Sequence, residues 1–164
     1  MGELTVLDEK LAEVLGLAQA ARQATKKVAT LARNEKQEQL VKLLDRMSDE
    51  ARQVEERCQS VANTRDGLKT AISAQARDTK SEVLDFMRTY LADAEALDGL
   101  EFLSMAEAGE LAHWRILATL NKTAKHDGIA KAVAFALPLQ EKHVAGVSDA
   151  SLKLAASEDP DAEA

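Results

Sequence analysis

Leu100-Glu-Phe-Leu-Ser-Met-Ala-Glu-Ala-Gly-Glu-Leu-Ala-His-Trp-Arg-Ile-Leu-Ala-Thr-Leu120 is the stretch whose reading decides the fold. At spacings of three and four, Leu100, Leu103, Ala106, Glu110, His113, Leu117 and Leu120 fall on one face of a helix. Such a face is buried against other helices, yet it carries a carboxylate and an imidazole. A carboxylate in an apolar seam loses hydration worth several kcal/mol unless a proton, a cation or a donor replaces it. The same pattern recurs downstream. Gln140 and His143 interrupt the stripe Ile129, Val133, Ala136, Val147, with Glu141 beside it.

Working outward, the chain reads as five helical segments. The first, from about Leu4 to Arg33, has a heptad-like seam of Leu4, Leu7, Leu11, Val14, Ala18, Ala21, Thr25, Val28 and Ala32. The second runs from about Glu35 to Asn63 along Leu40, Leu44, Met47, Ala51, Val54, Cys58 and Val61, turning back as an antiparallel partner near Asn34. Asn63-Thr-Arg-Asp-Gly67 breaks the pattern. A third helix, Leu68 to Ala92, follows, and its polar first half, Ser73 to Lys80, is expected to be peripheral or irregular. The fourth begins near Ala94 and stops around His126-Asp-Gly128, where His126 is expected to complement the helix dipole. The fifth spans about Ile129 to Ala156 and is expected to kink at Pro138. The expected architecture is all-α: a four-helix bundle with an additional crossover helix, built from residues 1–156 as one domain. An acidic tail, residues 157–164, is expected to be disordered.

Composition narrows the function classes. Hydrophobic residues make up 46% of the 164 but aromatics only 3%, which suits long helices rather than sheets. A formal charge of −7, with Lys and Arg interspersed among acids, argues against a nucleic-acid partner. One cysteine, Cys58, allows no internal disulfide and reads as a small buried hydrophobe. No run of about 18 apolar residues occurs, so no membrane insertion is expected, and a cytoplasmic location follows. Leu15, Leu84, Met87 and Leu91 lie just off the seams and point to a homodimer. Trp114 and Tyr90 read as core-edge residues.

Glu110-Leu-Ala-His113 is a Glu-x-x-His, the half-site geometry of di-iron and di-manganese bundles. A buried carboxylate–imidazole hydrogen-bond pair is the competing reading. Gln140-Glu-Lys-His143 carries glutamine where a carboxylate belongs, so Gln140 reads as a structural hydrogen-bonding group, and Glu141 could supply the acid by rotating inward. Glu50 is the candidate on the second helix, and the first helix offers only Ala18, Ala21 and Thr25. The metal candidates are therefore Glu50, Glu110, His113, Glu141 and His143, for no metal or for one of Fe, Mn or Zn. A complete dinuclear site needs roughly four carboxylates and two histidines. No catalytic residue or further cofactor motif is visible.

Glu101-Phe-Leu-Ser-Met-Ala-Glu-Ala-Gly-Glu-Leu-Ala-His-Trp-Arg-Ile-Leu117, Ala124-Lys-His-Asp-Gly128 and Leu139-Gln-Glu-Lys-His143 resemble the ferritin-like superfamily, nearest to the YciE/YciF-like bacterial proteins. The resemblance implies a five-helical, often dimeric protein associated with stress responses. It matches Glu110 and Glu141 to family carboxylates, and Glu50 more loosely. The first-helix acid has no equivalent, and Gln140 replaces another. The expected function is a ferritin-like bundle with a degenerate or partial metal site, acting as a stress-associated structural or interaction protein. The alternative is a metal-dependent oxidoreductase or iron-handling protein. An unrelated helical adaptor is a third class.

Overall fold

Five helices account for nearly all of residues 3–162, the part described by the computed structural model, and no strand occurs among them. They are α1 (Val6–Asn34), α2 (Glu38–Asn63), α3 (Lys69–Tyr90), α4 (Ala96–Ala124) and α5 (Asp127–Ala155). Thr5 starts α1 with a capping box: its hydroxyl oxygen accepts the Asp8 N–H at 3.2 Å, while the Asp8 carboxylate faces the Thr5 N–H. Asp8 is wholly buried and also accepts from Arg65 Nε at 2.7 Å, which fastens the α2–α3 turn to the start of α1. At the other end Glu35 accepts the Ala96 N–H at 2.6 Å, tying the α1–α2 turn to the start of α4.

These ties set the topology. α1 and α2 form one antiparallel hairpin, and α4 and α5 form the other. α4 lies antiparallel to α1, with Gly99 against Val28 and His113 near Glu13. α5 lies antiparallel to α2, with Gly128 near Val61 and His143 on Glu50. α3 is the single long crossover, running along the outside of α1. A Cβ on Gly16 would collide with the Ala76 carbonyl and Thr79, so glycine permits this close approach.

The crossover explains why α1 is buried on more than one face. Leu15, Ala12, Gly16 and Ala20 are enclosed as well as Leu11, Val14 and Ala18. Leu15 and Leu91 therefore belong to the core and supply no dimer surface, contrary to the sequence expectation; Leu84 and Met87 are half-buried. The first half of α3 is also regular and better covered than expected, since Ile72 and Ala76 are its buried residues. Its later aromatics, Phe86 and Tyr90, are the exposed ones, at 51% and 38%.

Two apolar clusters fill the interior. One gathers Leu11, Leu15, Cys58, Ile72, Trp114, Leu117 and Ile129; the other gathers Val28, Leu44, Met47, Leu100, Phe102, Leu103 and Val147. Each fully buried side chain of this size contributes about 1.5–3 kcal/mol. Between the clusters, on α2, α4 and α5, lies a band of polar residues.

Other details differ from the sequence expectations. Trp114 is fully buried, not at the core edge. α4 ends at Lys125, which takes the left-handed conformation at φ 53°, and Gly128 lies inside α5. His126 caps α5 instead of closing α4, its Nδ1 accepting the Ile129 N–H at 3.2 Å. Pro138 lies inside α5, which remains one helix from Asp127 to Ala155. Of the tail, residues 157–162 form exposed turns, and residues 163–164 lie outside the described part.

Candidate functional site

The polar band is built by three helices. α4 contributes Glu107 and Glu110, α5 contributes Gln140 and His143, and α2 contributes Glu50. Their placement follows from a strict three-four alternation along α4: Leu100, Leu103, Glu107, Glu110, Trp114, Leu117 and Asn121 are all buried. α5 does the same with Ala136, Gln140, His143 and Val147. On the α1 side, Leu17, Ala21 and Ala24 line a groove beside the band.

Hydrogen bonds close the band on itself. Gln140 Nε2 donates to Glu107 twice, to the backbone carbonyl at 3.0 Å and to Oε2 at 2.6 Å. His143 Nε2 stands 2.6 Å from Glu50 Oε2, and Nδ1 stands 3.5 Å from Glu107 Oε2. With a carboxylate at each nitrogen, the imidazole is best placed as a cation that donates in both directions. Burial depresses its pKa, but Glu107 and Glu50 together carry it above the ordinary histidine value. Trp114 Nε1 donates to Glu110 Oε1 at 3.3 Å. Glu110 is pushed up to about 8, first by burial and then by the charge of Glu107, with Trp114 and His143 opposing. Burial and the neighbouring Glu107 thus favour the protonated acid at Glu110. Among the described residues no fully enclosed side-chain nitrogen or oxygen lacks a hydrogen-bond partner.

The five sequence candidates separate into two groups. Glu50, Glu110 and His143 belong to the band. His113 does not: it is about a third exposed, its Nδ1 donates to the Gly109 carbonyl at 2.9 Å, and its Nε2 faces Glu13 of α1 at 3.3 Å. Glu141 does not rotate inward either; it is exposed and pairs with Arg115 at 3.2 Å. Gln140 makes the structural hydrogen bonds expected of it. Glu107 was missing from the sequence reading, which followed Ala106, His113 and Leu120 instead of Glu107, Trp114 and Asn121. The signal was present in the alternation itself and in Trp114, whose bulk belongs inside.

As a metal site the donor set does not fit. Among the described residues no three His, Cys, Asp or Glu side chains stand in a ligating arrangement. Glu107 is engaged by an amide, and α1 supplies no acid. Cys58 is buried in the neighbouring apolar cluster, where burial and then Glu110 and Glu55 push its thiol pKa upward, so it is not a thiolate ligand. What the band can do is hold a proton and bind α2, α4 and α5 in register.

Comparison with known protein families, curated proteins and solved structures gives no match. Among the described residues no helix is long and apolar enough to cross a membrane.

Proposed function

We propose that this chain is a ferritin-like helical bundle with a degenerate metal site, acting as a structural or interaction protein rather than an oxidoreductase. The observation that carries the reading is that each carboxyl of the polar band is engaged by one of the protein's own groups: an amide on Glu107, an indole on one oxygen of Glu110 and an imidazole on Glu50. The single long crossover between two hairpins supports the ferritin-like part. A role in stress responses comes with the resemblance of residues 101–143. The partner in this proposal is a second copy of the chain, for which Met105, Gly109, Ala112 and Ile116 provide an exposed apolar strip along α4.

Two measurements test it. Metal analysis of untagged protein should find no stoichiometric Fe, Mn or Zn. Thermal melts should be the same with chelator and with Fe(II), Mn(II) or Zn(II). A bound metal at 100 times its dissociation constant would instead add about 2.7 kcal/mol. If such a gain appears in the wild type and vanishes in Glu110→Gln, the oxidoreductase reading replaces this one. Light scattering at micromolar concentration should give a dimer mass, and a monomer would remove the second copy.

A further inference from the structure

Beside the polar band, α1, α3 and α4 enclose a groove of about 320 Å³, within the size range of small-ligand sites. It exists because α1 presents Ala21 and Ala24 where a larger side chain would reach α4. Its walls are almost wholly apolar, with Leu17 on α1, Phe86 on α3, and Phe102 and Met105 on α4. Phe86 and Phe102 stand with ring centroids 5.7 Å apart, and Phe86 and Met105 are about half exposed at the mouth.

The polar lining has one sign. Glu82, Glu107 and Glu110 are among its lining residues, although the Glu107 carboxylate is already engaged by Gln140 and His143; His113 is the sole basic group, and no Lys or Arg lines the groove. Glu110 is 4% exposed, and its Oε1 is held by Trp114. Its Oε2 has no protein partner, yet no enclosed polar atom in the described residues is left unpaired. The second oxygen is therefore not fully enclosed, and Glu110 is one of the residues that line the groove.

We propose that the groove binds an apolar monoamine: an aralkyl ammonium with its hydrocarbon against Ala21, Ala24, Phe86 and Phe102, and its N–H groups on the free oxygen of Glu110. Anions are disfavoured, since no Lys or Arg lines the groove and its other charged lining is acidic. Neutral analogues of the same shape gain the apolar contact alone. Binding is proton-linked, because Glu110 releases its proton to solvent as the ammonium arrives. The charged groups acting on Glu110 are Glu107 on α4 and His143 on α5, with Cys58 of α2 close by; Glu82 on α3 and His113 on α4 line the same groove, Glu50 on α2 is paired with His143, and Glu13 on α1 is paired with His113.

The test uses the chain's one tryptophan, whose indole N–H lies on Glu110 and gives a single reporting resonance. Phenethylammonium, phenethyl alcohol and hydrocinnamate are titrated separately. Above pH 8 the ammonium should shift the resonance saturably and bind about tenfold tighter than the alcohol, with hydrocinnamate not binding. Its affinity should fall by close to tenfold per pH unit below about 8, while that of the alcohol stays level. Glu110→Gln should erase the preference for the ammonium, and Ala21→Met should weaken ammonium and alcohol alike by filling the groove. Equal affinity for ammonium and alcohol in the wild type overturns the proposal. So does ammonium binding that is flat with pH, or unchanged in Ala21→Met. The pH and Ala21→Met arms decide even if Glu110→Gln does not fold.

Discussion

His143 Nε2 lies 2.6 Å from Glu50 Oε2, joining the last helix to the second at mid-length by a charge-assisted hydrogen bond. The imidazole is nearly enclosed and its other nitrogen faces Glu107, so neither carboxylate can leave without exposing the cation's cost. Arg46 and Lys142 stand further off, at 3.9 and 3.8 Å from Glu50 Oε1, on the solvent side. Glu50→Gln should therefore destabilise by about 1–3 kcal/mol in urea unfolding. Glu141→Gln, which disturbs only the exposed pair with Arg115, should stay within about 0.5 kcal/mol. Equal losses would mean that the buried pair contributes no more than a surface one.

Stability should peak on the mildly acidic side of neutrality. Glu110 has its pKa raised from 4.5 to about 8 in the fold. Its contribution is present in full below the ordinary value and lost as pH rises through about 8. His143 is also raised, so its contribution is complete below its ordinary 6.5 and disappears as pH passes the raised value. Asp8 acts in the opposite sense. Burial raises it, but Arg65 and Thr5 bring it below 3.8, so its contribution is present above that value and lost in acid. Glu110→Gln should match the wild type near pH 5 and exceed it by about 1–3 kcal/mol near pH 9. Parallel unfolding curves at the two pH values check this. A mutant less stable than the wild type at the higher pH would contradict the protonated acid.

Gly16→Ala should lower stability by about 1–3 kcal/mol, through overpacking against the Ala76 carbonyl and Thr79. Gly109→Ala has open space around the new Cβ, and helix propensity should make it neutral or stabilising by up to about 1 kcal/mol. Urea unfolding of the two variants gives the contrast. An unaffected Gly16→Ala would mean that α3 does not press on α1 as closely as described.

Helix count and approximate boundaries were legible because apolar periodicity and turn residues act within a few positions of each other. What that periodicity could not convey was the neighbour on each face. Leu15 and Leu91 looked like spare apolar surface until α3 was folded along α1. Ser73 to Lys80 looked peripheral although Ile72 and Ala76, around its start, reach the core. In α4, two stripes one position apart fit the periodicity, and the bulk of Trp114 separates them. Choosing Ala106 and His113 hid Glu107 and displaced the imidazole to the band's edge. Glu110, Glu50 and His143 were found because a polar group within an apolar seam has to be answered by another. Glu141 was drawn in because Gln140 stands where an acid belongs, and by the family pattern as well; its exposed setting with Arg115 follows from its place one residue past the seam.

The account rests on Glu110 being a proton-holding acid whose one oxygen is held by the Trp114 indole. The direct measurement is a pH titration of the Trp114 indole N–H resonance in metal-free protein and again with excess Zn(II). A single midpoint near 8, the same in both, is the expected result. A midpoint in the ordinary carboxylate range, or one that Zn(II) moves down by more than about one unit, would contradict it.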